Sequence, residues 1–151
     1  MKLDVRFDIS ANNSPIYSMI LQNVIKKISK KIGEDFYNIK WVIFDTNNRR
    51  KNNTKNELMK VSPLFIVSQG ADYGFYDYKS QEIWISTMAL RSSGWNNLSL
   101  PNLISGRNKP DLLVNVILDE LAHLKTGEDH GSREYDNQLK MYRNRHYTKL
   151  Y

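Results

Sequence analysis

Residues 116–139 read VILDELAHLKTGEDHGSREYDNQL. An α-helix advances about 100° per residue, so Leu113, Val114, Ile117, Leu118, Leu121 and Leu124 gather on one broad apolar face. Asp111, Asn115, Asp119, His123 and Thr126 fall opposite them. The pattern predicts a helix over 111–125, a break at Gly127 and a second helix from about Ser132 into the tail. Asp119 and His123 are four residues apart and therefore neighbours on the helix surface, with Glu120 at the edge of the same polar stripe. Read alone, such a stripe is either an ordinary solvated pair or two ligands presented beside a general base. His130-Gly131, beyond the glycine break, shifts the balance toward the second reading, because a third imidazole there can fold back.

Upstream, Leu3, Val5, Phe7 and Ile9 alternate with polar residues, the period of a half-buried strand over 2–9. Asn12-Asn13-Ser14-Pro15 supplies a capping side chain and a first-turn proline. Ile16, Ile20, Val24, Ile28 and Ile32 then recur every four residues up to Gly33, which predicts an amphipathic helix with Lys26, Lys27, Lys30 and Lys31 on its basic side. FYNIKWVIF at 36–44, LFIV at 64–67 and EIWIS at 82–86 read as strands. Gly70 and Gly74 punctuate the aromatic stretch Tyr73, Phe75, Tyr76 and Tyr78 between the last two. The polar basic segment 45–60, containing Arg49, Arg50 and Lys51, reads as a loop, and 93–109 as a connection broken by Gly and Pro.

The chain of 151 residues suits one domain of the usual size, roughly 100–200 residues. With no cysteine, thiolate metal sites, iron–sulfur clusters and cysteine nucleophiles are excluded, leaving His, Asp and Glu as ligand candidates. No apolar run approaches the roughly 18 residues of a membrane span, and the N-terminus lacks a signal-peptide core. An intracellular, cytoplasmic protein without a membrane partner is the expectation. The net charge is +6, but it is uneven. Between Pro110 and Leu139 seven acids oppose Lys125 and Arg133, so that segment carries −5 and the remainder +11.

The run over 116–139 resembles the SprT-like (Spartan-type) minimal gluzincins, whose pattern is HELAH, a short glycine-containing loop, a His-Gly pair and an aromatic residue. Here those places hold Asp119 to His123, Gly127, His130-Gly131 and Tyr135. The basic helix, the strands, the turn at 70–74 and the EIWIS strand follow in the order such domains use, so the resemblance spans about residues 15–140. It implies one α+β domain of minimal zincin-like fold over 1–151: an N-terminal helix packed on a small, mostly antiparallel sheet, then a metal-site helix and a C-terminal helix. It further implies a zinc-dependent peptidase acting on a protein substrate, with His123 and His130 as ligands and Glu120 as general base toward a metal-activated water.

One position departs from that pattern: Asp119 stands where the family has its first ligand histidine. A carboxylate also binds zinc, so Asp119, His123 and His130 still make a three-ligand set with an open fourth position, although aspartate is the shorter side chain. Two histidines and a carboxylate also describe the facial triad of non-haem iron enzymes. The alternative to a peptidase is a catalytically inactive descendant that binds nucleic acid or a protein partner, as in an anti-restriction role. Its surfaces would be Lys26, Lys27, Lys30 and Lys31, the loop residues Arg49, Arg50 and Lys51, and the tail over 140–151. That tail carries Lys140, Arg143, Arg145 and Lys149 among tyrosines, a composition suited to DNA phosphates and base stacking, or to a solvated helix end holding His146. A nuclease using the acidic cluster has no recognisable motif behind it.

Overall fold

The structure, a computed structural model, describes residues 3–47, 73–92 and 111–147. These form β1 (Asp4–Phe7), α1 (Pro15–Ile32), β2 (Lys40–Phe44), β3 (Gly74–Asp77), β4 (Glu82–Ser86), α2 (Thr87–Arg91), α3 (Asp111–Thr126) and α4 (Arg133–Tyr147). The expected strand at 64–67, the connection at 93–109, most of the basic loop and Lys149 lie outside the described residues.

The architecture is α+β, and among the described residues the sheet has four strands in the order β1-β2-β4-β3. A mostly antiparallel sheet was the expectation, and the described strands differ: β1 with β2 and β2 with β4 pair parallel, and among the described residues only β3 with β4 pair antiparallel. The reason for the first pairing is the 18-residue helix α1, which returns the chain to the end of the sheet from which β1 started. The antiparallel pairing follows from the short turn between Asp77 and Glu82, where Asp77 Oδ1 accepts from the backbone N–H groups of Lys79 and Ser80 and Gln81 takes φ 57°.

The signals at both ends of α1 act as their chemistry requires. Ser14 accepts from the Tyr17 N–H ahead of Pro15, and Gly33 closes the helix in the left-handed region at φ 79° with its N–H on the Ser29 carbonyl. The boundaries of the first two strands are tighter than the apolar pattern suggests. Ile9 is 94% exposed, beyond the end of β1, because Asp8 accepts from the Ser10 N–H and turns the chain. Phe36 is buried but lies in a turn in which Asp35 accepts from the Tyr37 N–H, so β2 begins only at Lys40.

Both faces of the sheet are apolar. Trp41, Ile43, Ile83 and Ile85 share one core with Ile20, Leu21, Ile25 and Ile28 of α1, Ala89 and Leu90 of α2, Leu113, Ile117, Leu118 and Leu121 of α3, and Tyr135 and Tyr142 of α4. Val42, Phe44, Trp84 and Phe75 form a second cluster on the opposite face, with Phe75 and Trp84 stacked at 5.2 Å. Strict alternation along β2 and β4 produces this division. The Arg6–Glu82 ion pair spans from β1 to the start of β4.

α3 comes unusually close to the antiparallel edge strand. A Cβ on Gly74 would lie 2.8 Å from Val116 Cγ1 and 2.9 Å from the Trp84 carbonyl oxygen. Only a residue without a side chain permits both approaches. Gly74→Ala is therefore expected to destabilise the fold by about 1–3 kcal/mol and to lower the melting temperature by about 3–10 °C in thermal unfolding.

Candidate metal centre

α3 presents its polar stripe in the seam between β3 on one side and α4 on the other. Val116, one turn before Glu120, packs at Gly74 of β3. On the other flank Tyr147 of α4 donates to Asn115 Oδ1 at 2.8 Å, and Tyr135 stacks on the His123 ring at 4.4 Å. α4 thus runs back along α3, and its side chains bracket Asp119 and His123 from above and below.

The loop joining the two helices turns at Gly127 (φ 66°) and Gly131 (φ 90°), both in the left-handed region that favours glycine. This reversal folds His130 back over α3. Asp119, His123 and His130 each offer one ligand atom, and the three atoms lie within 4.8 Å of one another. The Nε2 atoms of His123 and His130 face each other at 3.2 Å, and Asp119 Oδ2 lies 3.8 Å from His130 Nε2.

The tautomer of His123 follows from its surroundings. Its Nδ1 lies 2.8 Å from the Glu128 carbonyl oxygen, and a carbonyl only accepts, so Nδ1 carries the proton. The Nε2 lone pair is then bare and aimed at His130. This is the arrangement in which a histidine ligates a metal through one nitrogen while the other is fixed by a backbone carbonyl. Metal–nitrogen bonds of about 2.0–2.1 Å at a tetrahedral angle require ligand nitrogens about 3.3–3.4 Å apart, close to the observed separation. The Asp119 oxygen, 3.8 Å from His130 Nε2 in a group that spans up to 4.8 Å, reaches the same geometry by a side-chain shift of about 1 Å. The donor set therefore fits a small divalent cation.

Exposure grades the three donors. His123 is buried, Asp119 is 27% exposed and His130 is 68% exposed, so the group opens toward solvent on the loop side. Burial raises the Asp119 carboxyl above its ordinary value, while the neighbouring His130, His123 and Arg143 favour its charged form. Glu120 is buried, and burial, reinforced by the charge of Asp119, pushes its carboxyl well up. Two reluctant carboxyls beside two imidazoles form a local demand for positive charge.

Of the residues assigned to the alternative binding surface, Arg143 is the one whose placement changes its meaning. It lies one turn before Tyr147 on α4, as Asp119 lies one turn after Asn115 on α3, and its guanidinium acts on Asp119. Lys26, Lys27, Lys30 and Lys31 on α1, and Lys140 and Arg145 on α4, are exposed. Arg49, Arg50, Lys51 and Lys149 fall outside the described residues. The tail up to Tyr147 is helical, with Tyr142 and His146 buried, so it is not simply a solvated helix end. Tyr78 and Tyr135, which contact the site, carried no site signal in the sequence beyond the aromatic spacing of the motif. Among the described residues, no helix is long and apolar enough to cross a membrane.

Comparison with known proteins finds no matching family model, no matching curated protein and no matching solved structure. The chemistry of the site must be read from its own residues. His123→Ala removes the most buried donor and is expected to reduce bound metal from about one ion per chain toward none in elemental mass spectrometry. Glu120→Gln is expected to leave that stoichiometry unchanged.

Proposed function

We propose that the protein is a zinc-dependent metallopeptidase of the SprT-like minimal gluzincin type, in which Asp119 replaces the first histidine ligand. The observation that carries this reading is the convergence of Asp119, His123 and His130 beside a buried glutamate on the same helix. Asp119, His123 and His130 would hold the ion and leave a fourth position open. When bound, zinc supplies Lewis acidity, polarising a carbonyl and lowering the pKa of a water toward about 7.

The chain's own residues supply the rest. Glu120 is adjacent to the first ligand, and burial makes its carboxylate a strong proton acceptor. His123 is held in one tautomer by the Glu128 carbonyl and in one plane by Tyr135. The partial exposure of His130 and Asp119 leaves the loop side accessible to a polypeptide. The Lys-rich face of α1 and the basic end of α4 support an acidic partner or DNA as a second ligand, a reading that stands on charge alone.

Zinc content is decisive first: protein purified without a tag or added metal is expected to carry about one ion per chain. On an unfolded protein substrate, Glu120→Gln should lower cleavage at least about a hundredfold while retaining metal, the usual scale for loss of a general base. Cleavage that is indifferent to this substitution rejects the peptidase reading. Protein that stays metal-free after zinc dialysis assigns the fold instead to binding through its basic surfaces.

A further inference from the structure

Tyr78 lies in the turn that follows β3, far in sequence from the metal group, and its hydroxyl reaches the loop that carries His130. The ring packs edge-on against Tyr76 at 4.8 Å, which fixes its direction. The hydroxyl donates to Asp129 Oδ1 at 3.0 Å, with the Glu128 carbonyl oxygen at 3.3 Å and His123 Nδ1 at 3.4 Å.

The other hydrogen bonds of this loop, among the described residues, stay within it or run to α3, where His123 Nδ1–H donates to the Glu128 carbonyl at 2.8 Å. Glu128 N–H donates to Thr126 Oγ1 at 3.2 Å, Ser132 N–H to the Asp129 carbonyl at 3.2 Å, and Gly127 N–H to the His123 carbonyl at 2.8 Å. Such bonds shape the loop and tie it to the end of α3, but none of them reaches the sheet. With two glycines at positive φ and exposed residues from Gly127 to Gly131, the loop has little apolar burial to hold it. The bonds from Tyr78 join it to the sheet.

We infer that Tyr78 is a positioning residue for the metal group, fastening Asp129 and the Glu128 carbonyl so that His130 Nε2 stays opposite His123 Nε2. This rests on the reading of Asp119, His123 and His130 as a metal site. The hydroxyl acts on both imidazoles at once. It places the carbonyl that sets the His123 tautomer, and it stops the loop carrying His130 from lifting away.

Tyr78→Phe tests this, because it keeps the ring against Tyr76 and removes only the hydroxyl. Zinc affinity, measured by competition with a chromophoric chelator, is expected to fall about 10- to 100-fold, the scale of losses at groups that orient ligands. In the metal-free protein, amide hydrogen exchange over residues 127–132 is expected to rise about 2- to 10-fold, as for loss of one hydrogen bond. The melting temperature of the metal-free protein should stay near that of the parent. Unchanged exchange and affinity in Tyr78→Phe overturn the inference, as does a drop in metal-free stability with no selective effect on the loop. Should the parent take up no zinc, the metal-site reading fails, and loop exchange in the metal-free protein still decides whether Tyr78 fastens the loop.

Discussion

The two-sided packing of α3 constrains everything around the candidate site. One flank of the helix is pressed so closely against β3 that only glycine fits at position 74, and the other is covered by α4 through Tyr135 and Tyr147. Its apolar face is committed to the core through Leu113, Ile117, Leu118 and Leu121. The stripe holding Asp119 and His123 is then directed into the seam between strand and helix. Rotating the helix by one residue would bury Asp119 in the core or expose Leu118. The placement of the donors is thus set by hydrophobic burial, the larger energetic effect, and not by the donors themselves.

Within that frame the electrostatics of the site are costly without a cation. Asp119 and Glu120 are adjacent carboxyls in a partly desolvated seam, and burial raises both above their ordinary values. The facing Nε2 atoms at 3.2 Å add a demand of their own, since the bare lone pair on His123 takes either a proton from His130 or a metal ion between them. Arg143 offsets part of the cost from the rim through its effect on Asp119. A divalent ion offsets more of it, because it charges the carboxyl and engages both lone pairs together. An ordinary solvated helical pair would leave Asp119 and His123 in water, whereas His123 is buried with His130 opposite it.

The three long helices were legible in the sequence because their ends depend on local chemistry: Ser14 before Pro15, Gly33 after the last turn of α1, and Gly127 after α3, whereas the one-turn helix α2 carried no such pattern. EIWIS coincides with β4 residue for residue, since a continuous apolar run buried on both faces has little alternative. Strand direction was not legible. Whether neighbouring strands run parallel depends on the length and path of what joins them, and apolar alternation is identical in either case. Nor was β3 distinguishable as a strand, because its leading glycine reads as a turn until α3 is seen lying against it. Ile9 shows the opposite failure, where a short Asx-type turn at Asp8 ended the strand before its apolar pattern did.

The candidate site was legible in its ligand residues but not in what holds them. Asp119, Glu120, His123 and His130 stand in one short run, and the family resemblance carried by that run is what proposes their roles. Their supports come from elsewhere: Tyr78 from the turn after β3, Tyr135 and Arg143 from α4, and a backbone carbonyl at Glu128 that no side-chain pattern announces. The case of Arg143 shows how much this matters. By composition it belongs with Lys140, Arg145 and Lys149 in a basic tail suited to phosphate. In the antiparallel α3–α4 pair, one helical turn relates it to Tyr147 just as one turn relates Asp119 to Asn115. It thereby becomes a neighbour of the most acidic part of the chain. The tail is therefore not a single cationic surface: one guanidinium is near enough to favour the charged form of Asp119, and the exposed cations around it remain for solvent or a partner.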